Sequence, residues 1–201
     1  ADAIYHFVWD QFCDWYLELI KPAFVDGEKQ DMDSESKIVA GWVLDQILVM
    51  LHPFMPFVTE ELWHALADPE RPRKYDLIHA KWPEPKAAVD ANATAEINWL
   101  IRLVGEVRTA KNELGIAPGA KMDAFVRDAS AATAARIANQ SATISRLARL
   151  KNIGTGDAPE GGSIQLVVDE ATFVLPLAGV IDLDAERARI TKAIEAATKE
   201  A

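Results

Sequence analysis

Residues 1–70 contain no arginine and only three lysines, against 14 aspartates and glutamates. The resulting −11 turns that third of the chain toward solvent or another domain rather than toward a polyanion. Cysteine is nearly missing as well. Cys13 alone excludes an internal disulfide framework and any multi-cysteine zinc site. Within its aromatic stretch it reads as a small buried apolar residue. No run of 18 apolar residues occurs, so no helix is expected to cross a membrane. No signal-peptide pattern is found at the start, and the cytoplasm is the expected compartment. No GxGxxG and no glycine-rich turn joins a strand to a helix, which removes the usual phosphate cradle. Gly154, Gly156, Gly161 and Gly162 fall around a predicted hairpin and serve backbone conformation. Metal-ligand spacing is also thin. Glu61 and His64 form one Glu-x-x-His, whereas carboxylate-bridged bundles need that motif twice. His6, His52 and His79 have no ligand-spaced partners. No metal site and no catalytic residue is expected.

What the chain does have is apolar mass. Half of its 201 residues are hydrophobic, with six Trp and seven Phe, enough for a sizeable core. Charge is uneven: residues 71–201 hold 18 basic and 17 acidic residues, and within 102–151 nine basic residues face four acidic ones. Any steering of a nucleic acid is expected from that later region.

The organising stretch is Leu51 to Leu66, LHPFMPFVTEELWHAL. Pro53 and Pro56 break a helix running from Ser34 to Leu51. Phe54, Met55 and Phe57 make the break apolar, so a buried corner is expected. Thr59 reads as the N-cap of the next helix, with Glu60 and Glu61 at the positive end of its dipole. Leu62, Trp63 and Leu66 are expected to face the core. Upstream, Ile4, Val8, Phe12, Trp15 and Leu19 share one face of a helix ending at Lys21-Pro22, ringed by further aromatics, which predicts a central place in a bundle. Nothing caps its start, and the helix or a predecessor is expected to lie upstream. Val25 to Asp33 reads as a loop, and Asp33 or Ser34 caps the following helix. Ile78 to Pro85 reads as extended, and Ala87 to Ala93 as a linker.

Beyond the linker, Ile97, Leu100, Ile101, Val104 and Val107 predict a helix from about Ala95 to Leu114, stopped by Gly115. A short strand at Met122 to Val126 follows, then helices over 129–139 and 141–150. Residues 151–156 read as a strand. The β-rich runs 164–168 and 172–177 form a hairpin around Asp169-Glu170. Leu183, Ile190, Ile194 and Ala197 open a heptad seam with no stop signal, so this last helix also looks truncated. The predicted fold is mostly α: a helical bundle (1–86), a small α+β module with a β-hairpin (95–180), and the start of a coiled-coil arm (181–201).

LHPFMPFVTEELW resembles the corner of the anticodon-binding helical domain in class I aminoacyl-tRNA synthetases of the valyl, isoleucyl and leucyl group, in its valyl form. Three further stretches are similar to that family in the same order: FVWDQFCDWYLELIKP, VRTAKNELGIAPGAK and VIDLDAERARITKAIEA. Lys111, Gly115 and Ala117 depart from the residues usual in the second of these. The chain lacks the family's His-x-Gly-His and Lys-Met-Ser-Lys-Ser signatures. The resemblance thus implies a fragment of a valine–tRNA ligase, inactive alone. ATP and Mg would belong to a catalytic domain elsewhere, and the fragment would need no cofactor. It also implies as partners the tRNA for valine and the enzyme's own catalytic domain, with no DNA and no membrane, in a monomer.

Docking an anticodon stem-loop requires cations for phosphates and flat groups for splayed bases. The cation candidates are Arg71, Arg73, Lys74, Arg102, Arg108, Lys111 and Lys121, and the stacking candidates are Tyr5, Trp9 and Phe54. Pro53, Phe54, Pro56, Phe57, Thr59 and Trp63 form the structural corner. The alternative is a buttress that positions the catalytic domain and the arm without binding tRNA itself.

Overall fold

The computed structural model describes residues 2–22, 24, 25, 28, 29, 31–70, 72–180 and 191. The architecture is α+β: mostly helices with a two-stranded hairpin in the first part of the chain, and a four-stranded mixed sheet with helices in the second. The chain divides into two compact units, Ala1–Ala88 and Val89–Ala201. The expected coiled-coil segment over 181–201 lies, apart from residue 191, outside the described residues.

The first unit opens with α1 (Asp2–His6), continues as a π-helix over Phe7–Tyr16, and closes with α2 (Leu17–Leu19). One continuous α-helix was expected here. A π stretch bonds residues five apart and takes more residues per turn, so a stripe spaced for 3.6 residues does not stay aligned. Among Ile4, Val8, Phe12, Trp15 and Leu19, only Phe12 is buried, and the central place in a bundle is not seen. Cys13 is half-buried. Part of the expected loop is a two-stranded hairpin, β1 (Phe24–Val25) with β2 (Glu28–Lys29). Then α3 spans Ser34–Leu51, capped by the Asp33 carboxylate, which accepts from Ser36 N at 2.8 Å. That bond holds the Asp33 carboxyl below its usual range.

The proline corner differs from its sequence reading in two ways. First, α4 spans Pro56–Ala65, so Pro56 and not Thr59 starts the helix. Proline suits the first helical position, where its fixed φ fits and its missing N–H costs nothing. Thr59 sits one turn in and is buried, its Oγ1 donating to the Met55 carbonyl at 2.8 Å; His52 Nδ1 lies 2.8 Å from the same oxygen. Second, the corner is not covered. Phe54, Met55 and Phe57 are exposed, Phe57 to 90%, and so are Leu62 and Leu66. Pro53 and Pro56 are exposed too. Of the corner's large apolar side chains only Trp63 is buried, joining Leu48, Val49, Leu77 and Ala80 in a small core. Trp63 Nε1 donates to the Tyr75 carbonyl at 3.0 Å, which fixes the loop after α4. In that loop Leu77–His79 forms a 3-10 turn, not the extended start expected for residues 78–85.

In the second unit, Asp90 accepts from Asn92 N and Ala93 N and starts α5 (Ala91–Glu113) inside the expected linker. Trp99, Leu100, Leu103, Val104 and Val107 are completely buried. At its end Gly115 takes φ 63°, its N–H donates to Asn112 O, and Ile116 N donates to Lys111 O at 2.8 Å. These paired bonds are the Schellman closure that a left-handed glycine permits. Strand β3 (Met122–Arg127), helices α6 (Ala131–Asn139) and α7 (Ser141–Leu147), and strand β4 (Leu150–Thr155) form a parallel crossover unit. The hairpin β5 (Ser163–Val168) and β6 (Ala171–Pro176) completes a sheet of order β4-β3-β6-β5. Trp99 meets Phe173 of β6 with ring centroids 6.5 Å apart. Asp169 and Glu170 form the two-residue hairpin loop. Glu170 accepts from Ser130 N at 3.1 Å and Thr133 Oγ1 at 2.7 Å, so the hairpin caps the start of α6. The Ser130 and Thr133 bonds lower the Glu170 carboxyl to about 2.

Candidate nucleic-acid interface

Tyr5 and Trp9 are four residues apart and lie on one side of the first helix. Their rings are parallel to within 2°, with centroids 6.4 Å apart. After α3, Phe54 N and Met55 N both donate to the Leu51 carbonyl, at 2.9 and 3.0 Å. This tight turn leaves Phe54 projecting. Tyr5, Val8, Trp9, Leu51, Phe54 and Met55 together line a depression of about 300 Å³ with no charged side chain. The three stacking candidates therefore converge, and each is more than half exposed. Large aromatics bury much apolar area when covered, and three of them stand open around one depression, presenting the flat apolar faces on which splayed bases can stack.

A second depression of about 540 Å³ in the same unit is lined in part by Asp45, Trp63, Arg73, Lys74, Tyr75 and Lys81. Arg73 is not available as a surface cation. Its guanidinium grips Asp45 with two bonds of 2.7 and 2.6 Å, its Nε donates to the Trp63 carbonyl, and it stacks 3.8 Å above the Trp63 ring. Arg73 is thus a brace between α3 and α4. Lys74 and Lys81 are exposed and form no ion pair with another described residue. Arg71 lies outside the described residues.

The second unit divides its cations in the same manner. Arg102 pairs with Asp169 at 2.7 Å, and Arg136 approaches the same carboxylate at 3.6 Å. Arg108 Nε donates to the Leu147 carbonyl at 3.1 Å. Lys111, expected on an RNA-facing surface, is instead 4% exposed. Its Nζ donates to the carbonyls of Ala120 (2.5 Å) and Arg149 (3.4 Å). Burial, and then the charge of Arg149, push the ammonium below its usual range. Helical spacing placed Lys111 beside Arg108, but the chain folds back over it through residues 116–120. Lys121 is exposed, without an ion pair to another described residue.

The sequence offered Glu61 and His64 as a lone Glu-x-x-His with no metal expected, whereas the described acids beside His64 are two others. Glu60, one turn earlier, and Asp76 from the loop each lie 3.2 Å from His64 Nε2. Their ligand-type atoms all fall within 4.8 Å of one another. Glu60 Oε1 also accepts from Leu77 N at 2.7 Å, which holds its carboxyl below the usual range. The i, i+4 spacing of Glu60 and His64 was a visible signal; Asp76 joins only through the loop.

Comparison with known proteins bears on the same stretch. The chain is 59% identical over 201 residues to a valine–tRNA ligase of Rhizorhabdus wittichii, matched over all of this chain and 22% of the relative. It is 52% identical over 203 residues to one of Zymomonas mobilis, with the same coverage. With one of Sphingopyxis alaskensis it shares 50% over 230 residues, covering all of this chain and 24% of the relative. The chain thus spans between a fifth and a quarter of the length of these relatives. Residues 1–126, which include the aromatic depression, the proline corner and helix α5, match the family described as the anticodon-binding domain of tRNA ligase, and the chain belongs to that family.

Proposed function

We propose that this chain is the tRNA-recognising part of a valine–tRNA ligase and that its first unit receives the anticodon stem-loop. The observation that carries the reading is the convergence of Tyr5, Trp9 and Phe54 around one uncharged depression. Base-on-aromatic stacking tolerates an acidic region, because it gains from area and π-faces rather than net charge. Phosphate contacts fall to the exposed Lys74, Lys81 and Lys121, with Arg71 a further candidate from the sequence. Arg73 and Lys111 contribute structure. In this reading valine activation with ATP and Mg takes place on polypeptide outside this chain, and the chain works as a cytoplasmic monomer. Titrating labelled valine tRNA against an anticodon-altered control tests it. Preference for the native anticodon is expected; equal affinity for both, or no binding at low salt, overturns it. Valine activation by this chain alone would overturn the assignment of the chemistry.

A second reading covers a different face. Phe57 is 90% exposed, and Val58 and Leu62 beside it are exposed as well. Apolar groups so open on a proline-started helix suit packing against another part of the parent ligase, which supports a buttress role alongside tRNA docking.

A further inference from the structure

Glu60 and His64 stand one turn apart on α4, and Asp76 comes up beside them from the loop that follows the helix. Both carboxylates face a single nitrogen: Glu60 Oε1 and Asp76 Oδ1 each lie 3.2 Å from His64 Nε2. An Nε2–H can point at only one of them, and a bare Nε2 lone pair is repelled by both. His6, in the same unit, is the contrast. It also sits between two carboxylates, but Asp10 takes Nδ1 at 2.7 Å and Asp2 lies 3.7 Å from Nε2, so each nitrogen serves one acid. At His64 the two distances are equal and at the long end of the hydrogen-bond range. They match another geometry. Donors bound about 2.0–2.2 Å from one tetrahedral zinc stand about 3.3–3.6 Å from each other. All three ligand atoms fall within 4.8 Å of one another, and the Asp76 side chain is 67% exposed, so it is free to close the Glu60–Asp76 edge by rotation.

The backbone on either side of Asp76 is already tied down. The Tyr75 carbonyl accepts from Trp63 Nε1 at 3.0 Å, and Leu77 N donates to Glu60 Oε1 at 2.7 Å. His79 N then donates to the Asp76 carbonyl at 2.9 Å and closes the turn. A fixed backbone thus presents the ligand from the loop, and one helix presents the other two. After its bond to Leu77, Glu60 keeps lone pairs for a cation, and its second oxygen faces His52 Nε2 at 4.0 Å. Residues 1–70 carry −11, so a dication here also relieves local repulsion.

We propose that Glu60, His64 and Asp76 form a zinc site that clips the loop after α4 onto the helix, with water completing the coordination. A neutral imidazole offers one lone pair to a metal, and one imidazole with two carboxylates suits zinc better than magnesium or calcium, which prefer oxygen alone. The inference is independent of how the chain meets tRNA.

The test uses the full chain, stripped of metal with a chelator and titrated with zinc chloride, with magnesium chloride as the comparison. Binding is followed by calorimetry, and cobalt(II) in place of zinc reports tetrahedral coordination through its d–d absorption. One equivalent of zinc is expected to bind, and the urea midpoint should rise as zinc is added. Asp76→Asn keeps the shape of an exposed side chain and removes one charged ligand. Its affinity for zinc is expected to fall by at least about 100-fold, the upper end of what loss of an outer partner costs, while the metal-free variant melts like the metal-free wild type. His64→Gln gives the same reading should Asp76→Asn disturb folding. His6→Gln controls for binding at another histidine and should take up zinc as the wild type does. No zinc uptake by the wild type, undiminished affinity in both Asp76→Asn and His64→Gln, or loss of uptake in His6→Gln alone would overturn the site. Tighter binding of magnesium than of zinc would overturn it as well, because such a site has no use for the imidazole.

Discussion

Replacing Trp9 by alanine separates recognition from folding. Its ring is 57% exposed and stacks in parallel with Tyr5, while its remaining surface borders the aromatic depression. Stacking of a base on an aromatic side chain is worth about 1–3 kcal/mol. One face of Trp9 is already used by Tyr5, so the lower part of that range applies, about 1–1.8 kcal/mol. At 1.4 kcal/mol per tenfold, Trp9→Ala should raise the Kd for valine tRNA about 5- to 20-fold. The fold should lose only about 0.5 kcal/mol, the cost of one exposed ring pair. No phosphate contact is removed, so the dependence of log Kd on log salt should keep its slope. The assay is a fluorescence titration at three salt concentrations, paired with a urea melt of the same variant. An unchanged Kd refutes the stacking role. A weaker Kd with a lower salt slope, or with a large loss of stability, refutes the reasoning that assigned Trp9 to base contact alone.

Other perturbations probe the frame around the site. Arg73→Lys keeps the charge but loses the two-pronged grip on Asp45 and the guanidinium stack on Trp63, and should destabilise the chain by about 1–2 kcal/mol in urea melts. A loss below about 0.5 kcal/mol would mean the brace is only a solvated pair. Gly115→Ala should cost about 1–2 kcal/mol, because φ 63° crowds a Cβ, and an unchanged melting midpoint would contradict the Schellman assignment. Glu170 has its carboxyl at about 2, down from the ordinary 4.5. Between those values the unfolded chain binds more protons than the folded one, so the stabilisation present above pH 4.5 should fade as pH falls toward 2. Urea midpoints at pH 5 and pH 2.5 should therefore differ less in Glu170→Gln than in the wild type; equal differences would remove Glu170 from the acid response.

The sequence by itself determined the features set by near neighbours. The span of α3 with its Asp33 cap, the stop of α5 at Gly115 and the hairpin around Asp169-Glu170 all depend on residues a few positions apart. So does the proline break, since Pro53 and Pro56 forbid a smooth helix whatever lies around them. The three stacking candidates, Tyr5, Trp9 and Phe54, were visible as aromatics at helical spacing and in the corner. Only the tertiary structure decided which of these groups is open and which is spent. Periodicity states which residues can share a face, not whether another element covers that face. Hence the corner that reads as buried is exposed at Phe57, and the lysine that reads as a surface cation, Lys111, is roofed by residues 116–120. Arg73 was claimed by Asp45, 28 residues earlier, and Glu60 by Leu77, 17 residues later. Such long-range partners leave no mark on local spacing, because the folded path of the chain alone brings them within reach.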